Sequence, residues 1–138
     1  MKFRVPGSNR EVWVNIKKYR VDWDKPTRSK FQSSVKQFLR PYLENHIVAE
    51  EFRIPRTKLT VDLIDFTSKV AYEIQGKQHS EYVPFFHGNL TGFYRQFGRD
   101  AKKAQFLEYN GYKLVEINPE DLVKLSRAFF VETFKIYL

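Results

Sequence analysis

Cysteine is absent from the 138 residues, which removes disulfides and thiolate metal sites and leaves histidine, carboxylates and backbone carbonyls as ligands. Any metal is then expected to be a hard cation. Long hydrophobic runs are missing too: no stretch approaches the roughly 20 apolar residues of a spanning helix, so no membrane partner is expected. Met1-Lys2-Phe3-Arg4 runs straight into Pro6-Gly7-Ser8-Asn9 without the pattern of a signal peptide, and the expected setting is intracellular and cytoplasmic. Glycine and proline, six of each, are scattered as punctuation rather than gathered into a linker, and no repeat is visible. Acidic residues are outnumbered, 16 against 24 Lys and Arg, which leaves a net charge of +8. A surplus of that size on a small domain points to a polyanionic partner, with nucleic acid first in line.

What the chain does have is aromatic bulk, with 13 Phe and 8 Tyr, enough for a single domain over residues 1–138 to bury a substantial core. Residues 1–25 read as an N-terminal arm or hairpin, with Val12-Trp13-Val14-Asn15-Ile16 alternating like a short strand. Pro26 and Thr27 open a helix whose Val35, Phe38, Leu39, Tyr42 and Leu43 form one apolar stripe, interrupted by Pro41. Three strands follow, 47–54, 58–66 and 69–75, as an antiparallel meander. A second helix, 91–109, ends at Asn110-Gly111, residues that tolerate positive φ, and a further strand covers 112–117. Asn118-Pro119-Glu120 starts the C-terminal helices, 118–138. The layout is α/β.

A connection at Thr67-Ser68, or one of four residues over Phe66 to Lys69, places Asp62 directly opposite Glu73, with Gln75 two residues on along the same face. Two carboxylates facing each other across a sheet repel unless a cation stands between them, and a divalent ion would resolve the conflict. Surface acids on a hairpin are commonplace. Here, however, apolar residues fall on both faces, with Leu59, Val61 and Leu63 on one and Ile64, Phe66 and Ala71 on the other. The sheet is therefore expected to be covered on both sides, where acids are costly unless liganded.

The runs Phe52-Arg53-Ile54-Pro55, Leu59-Thr60-Val61-Asp62 and Val70-Ala71-Tyr72-Glu73-Ile74-Gln75-Gly76-Lys77-Gln78-His79 resemble the core of the PD-(D/E)XK nucleases. More narrowly, they are similar to the branch holding very-short-patch repair endonucleases and related phage and homing endonucleases. Arg99-Asp100-Ala101-Lys102-Lys103 and Asn110-Gly111-Tyr112-Lys113-Leu114-Val115-Glu116-Ile117 resemble that branch as well, so residues 26–117 become the expected nuclease core. The resemblance implies a restriction-endonuclease-like fold, a mixed central sheet flanked by helices. It also implies hydrolysis of double-stranded DNA with Mg²⁺, or Mn²⁺ in its place, held by Asp62, Glu73 and the carbonyl of Ile74. A homodimer would bring two sites to two strands.

Three departures from the family pattern stand out. Val61 replaces the proline before the aspartate, Gln75 replaces the lysine, and Gln32 stands where many relatives carry a helix acid. Gln75 orients water but cannot act as a cation or a base, which makes Lys77 and His79 the candidate substitutes at the strand end. On the second helix, Phe93, Phe97, Asp100, Ala104 and Leu107 are expected to face the sheet, with Asp100 supporting the site or pairing with a buried cation. Arg95, Arg99, Lys102 and Lys103 fall on the other side as a stripe suited to phosphates. His87 is a poorer candidate and His46 is expected to be structural. Three functions remain open: a phage-encoded or homing endonuclease acting in a host cell, a repair or recombination nuclease for mismatched or branched DNA, and a DNA-binding module whose nuclease site has decayed.

Overall fold

The structure, a computed structural model, describes residues 1–74 and 101–138. Gln75, Lys77, His79, His87, Arg95, Arg99 and Asp100 lie outside the described residues. Two short strands, β1 (Lys2–Arg4) and β2 (Glu11–Trp13), form an antiparallel hairpin, followed by a 3-10 turn at Ile16–Tyr19. Helix α1 (Lys30–Leu43) leads into β3 (Val48–Arg53), β4 (Thr60–Asp65) and β5 (Val70–Ile74). Residues 101–109 are helical (α2), and β6 (Lys113–Ile117), a 3-10 turn (Pro119–Lys124) and α3 (Arg127–Phe134) close the chain. The sheet order is β3-β4-β5-β6, with β5 and β6 parallel and the other pairs antiparallel. This is an α/β domain on a mixed four-stranded sheet.

Several boundaries differ from the sequence reading. Helix α1 starts after Ser29, not at Pro26, because the Ser29 hydroxyl accepts the Gln32 N–H and satisfies one of the open donors of the first turn. It runs through Pro41, which sits in its last turn, to Leu43. The segment after Asn118 is a 3-10 turn in which the Asp121 carboxylate accepts the Asn118 N–H, so the C-terminal α-helix begins only at Arg127 and stops at Phe134.

Two aromatic-rich cores clamp the sheet. On one face, α1 and α3 bury Val35, Leu39, Leu43 and Phe130 against Leu63, Tyr72, Val115 and Ile117. On the other, Phe3, Phe52, Ile54, Val61, Ile64, Phe66, Phe106 and Leu107 pack together. The N-terminal residues are therefore a packed hairpin, not a free arm. Phe3 is 1% exposed, with its ring 5.6 Å from Phe52 and 5.7 Å from Phe106. Asn110 fastens this hairpin to the end of α2, taking the Arg4 N–H at 2.8 Å and donating to the Arg4 carbonyl.

The two faces are not populated as simple alternation predicts. Leu59 and Val61 join Ile64, Phe66 and Ala71 on the second face, and of the expected set only Leu63 stays on the first. The cause lies at one row of the β3–β4 hairpin. Pairing runs through Glu50↔Leu63 and resumes at Phe52↔Val61, and Glu51 and Asp62 between them are unpaired. Glu51 has φ +51, in the left-handed region, where a side chain other than glycine costs about 1–3 kcal/mol. Both strands kink at this row, which turns Phe52 and Val61 toward Phe3.

Candidate functional site

The kinked row carries acids from edge to edge. Glu51 stands opposite Asp62 in the β3–β4 register, and the β4–β5 register, which runs through Leu63↔Tyr72, brings Asp62 opposite Glu73 one step further on. Glu73 in turn is paired with Glu116 on β6. The connection that sets this register is the four-residue turn over Phe66 to Lys69, with Lys69 at φ +59. It leaves the parity of a two-residue turn unchanged, so Asp62 and Glu73 meet as the sequence reading placed them.

Their surroundings differ. Glu51 and Glu116 are exposed at the sheet edges, Asp62 is half-buried, and Glu73 is 6% exposed. Asp62 is held in place by the chain it faces: its Oδ2 accepts the backbone N–H of Ile74 at 2.8 Å, where the regular ladder has stopped. Burial, first, and the Asp62 charge, second, push the Glu73 carboxyl up to about 8, and Lys103 pulls it back only in part. A hydrogen bond between Asp62 and Glu73 favours the protonated form. Geometry alone would read Lys103 and Glu73 as a plain ion pair. Lys103 bonds Glu73 directly, but its pull is outweighed by the cost of burying the carboxylate together with the repulsion from Asp62.

Lys103 corrects the sequence reading. It was expected among the outward basic residues of the second helix, but its ammonium bonds to Glu73 Oε1. Residues one turn apart share a helix face, and Phe106 and Leu107, three and four positions on, are the buried residues of α2. Ala104, assigned to the apolar stripe, is exposed, as is Lys102. The inward face is therefore rotated by about one residue from the expected one, because Phe106 fills the aromatic cluster around Phe3.

Helix α1 reaches the same row from the other edge. Gln32 Nε2 lies 3.5 Å from Glu51 Oε1, and one turn later Lys36, 1% exposed, pairs with Glu50 at 2.9 Å and donates to the Lys25 carbonyl at 2.7 Å. Glu51 escaped the sequence reading. The turn between these strands is four residues, Pro55 to Lys58, closed by the Ile54 N–H on the Leu59 carbonyl, and that length, longer than the Pro55-Arg56 turn of the sequence reading, sets Glu51 opposite Asp62. His46 is structural, its Nδ1 2.7 Å from Asp65 Oδ2.

Among the described residues no cluster of three or more His, Cys, Asp or Glu side chains is arranged to hold a metal ion. The Asp62–Glu73 pair still fits a small divalent cation. Mg²⁺ is usually held by one or two carboxylates, with waters and substrate phosphates completing the shell. Burial and Asp62 raise the Glu73 carboxyl above the usual carboxylate range even with the Lys103 ammonium on Oε1.

No family model matches the chain, and no solved structure matches it. A stretch of 60 residues, 43% of the chain, is 38% identical to Uncharacterized protein 094L of Frog virus 3 (isolate Goorha) and covers 39% of that protein. The chain thus spans about two fifths of that relative's length. Among the described residues no helix is long and apolar enough to cross a membrane.

Proposed function

We propose that the chain is a metal-dependent DNA endonuclease with a restriction-endonuclease-like core, whose site is centred on Asp62 and Glu73. The observation that carries this reading is the buried Glu73 carboxyl set against Asp62 at the kinked row, an arrangement that a divalent cation relieves. Asp62, Glu73 and the Ile74 carbonyl would hold Mg²⁺, which when bound lowers the pKa of water and offsets charge on the phosphate. The protein's own groups do the positioning. The Ile74 N–H fixes the Asp62 carboxylate, and the left-handed Glu51 lies at the bend where Asp62 leaves the ladder. Lys103 supplies a fixed cation beside Glu73, able to stabilise negative charge on a phosphate that enters the site, a task Gln75 cannot perform. The +8 charge favours capture of the polyanion.

One observation favours a second reading, a DNA-binding module without cleavage: Lys103 already occupies the place of a neutralising cation at Glu73. Incubation with supercoiled plasmid separates the two. The nuclease reading expects nicking in Mg²⁺ or Mn²⁺ that stops in EDTA and in Asp62→Asn and Glu73→Gln, while DNA binding survives in both variants. Binding without nicking in either metal would leave the second reading standing.

A further inference from the structure

Beside the carboxylates, the second face carries a cleft that the catalytic reading does not use. The N-terminal hairpin and the β3–β4 turn enclose about 320 Å³, lined by Trp13, Asn15, Lys18, Tyr19, Arg53 and Arg56 among others. Three of these are cations, and among the described residues no carboxylate pairs with any of them. Trp13 is 75% exposed, an unusual position for the largest apolar side chain, with the Lys2 ammonium 5.5 Å from its ring. Lys18 lies 5.1 Å from the Tyr19 ring. Arg56 is held at φ +62, a strained conformation at the tip of the turn.

We propose that this cleft is a DNA-backbone site, separate from the Asp62–Glu73 pair, in which Lys18, Arg53 and Arg56 take phosphates and Trp13 packs on a sugar. Cations beside an exposed aromatic match the alternation of phosphate and sugar along a duplex strand. An apolar ligand would leave the cations unpaired, and a simple anion would leave Trp13 uncovered. The position suits a strand running on from the catalytic row. Arg53 is paired with Thr60, two residues from Asp62, a strand distance of roughly 7 Å, which matches about two nucleotides of duplex rise. The choice of DNA as the nucleic acid rests on the nuclease reading. The cleft itself does not.

Fluorescence anisotropy of a labelled duplex in EDTA tests binding apart from cleavage. Lys18→Gln with Arg56→Gln, neither of whose side chains makes a hydrogen bond among the described residues, is expected to weaken binding about tenfold. It should also lower the slope of log affinity against log salt by roughly 1–2, since each phosphate contact adds about 0.9. Trp13→Ala is expected to weaken binding about fivefold with the slope unchanged. If the wild type binds and all these variants bind equally well, the cleft proposal is overturned and the DNA reading stands. If the variants lose affinity while Mg²⁺ elicits no cleavage from the wild type, the nuclease reading fails and the cleft stands. A wild type that binds anionic phospholipid vesicles but no duplex overturns the cleft proposal as stated.

Discussion

Asp65 and Glu73 are both buried carboxylates on adjacent strands, and their surroundings are opposites. Asp65 is saturated: its oxygens accept the N–H groups of Thr67 and Ser68 and the Ser68 hydroxyl, and His46 lies at 2.7 Å. It closes the turn that sets the β4–β5 register. Glu73 faces another acid and has a half-exposed lysine as its one cation among the described residues. A buried carboxylate completed by local donors is a fold device, whereas a buried carboxyl that holds its proton beside another acid is the kind of perturbed group that marks a candidate site. Lys36 and Glu50 belong with Asp65, because there the buried ammonium has both a carboxylate and a carbonyl.

The comparison breaks most sharply under matched substitutions. Glu73→Gln is expected to lower cleavage by roughly 10²–10³-fold or more while leaving metal-free stability unchanged or slightly raised, read by plasmid nicking and thermal unfolding. Asp65→Ala should do the reverse, costing about 3 kcal/mol of stability by stranding the Thr67 and Ser68 N–H groups, and losing activity only as the fold is lost. If Asp65→Ala folds as stably as the wild type, the division between the two carboxylates is wrong.

A pH series sharpens it. Glu73 in the fold binds its proton more tightly than in the unfolded chain, so between the ordinary glutamate value of 4.5 and about 8 the folded state carries more protons. Stability of the metal-free protein should therefore fall as pH rises through that window, with a slope of at most about 1.4 kcal/mol per pH unit, and level off above it. In denaturant titrations Glu73→Gln should flatten this part of the profile. The smallest effect is expected from Lys103→Met, which removes the cation that lowers Glu73: the end of the window should move to higher pH. A window that stays put would show Lys103 to be screened out entirely.

Much of this arrangement was legible in the sequence, for identifiable reasons. Strand parity put Asp62 opposite Glu73 whichever even turn joined the strands, and the Asn110-Gly111 stop appears as Gly111 at φ +79. What parity could not reveal was the kink at Glu51 and Asp62, because a bend in both strands leaves the register numbers intact while exchanging the faces of Phe52 and Val61. Lys103 was misplaced for a related reason. The helical stripe was anchored on Phe93 and Phe97, whereas Phe3, distant in sequence, fixes which residues of α2 turn inward. Such a long-range contact leaves no periodic trace.

The central proposal is that the Asp62–Glu73 pair takes a divalent cation, and calorimetric titration with Mg²⁺ or Mn²⁺ near pH 7, repeated in buffers of different ionisation enthalpy, tests it most directly. Metal should bind with release of about one proton, as Glu73 gives up the proton that burial and Asp62 make it keep, and Glu73→Gln should abolish both binding and release. Binding that persists unchanged in Glu73→Gln, or a wild type that takes up neither metal, would contradict the account.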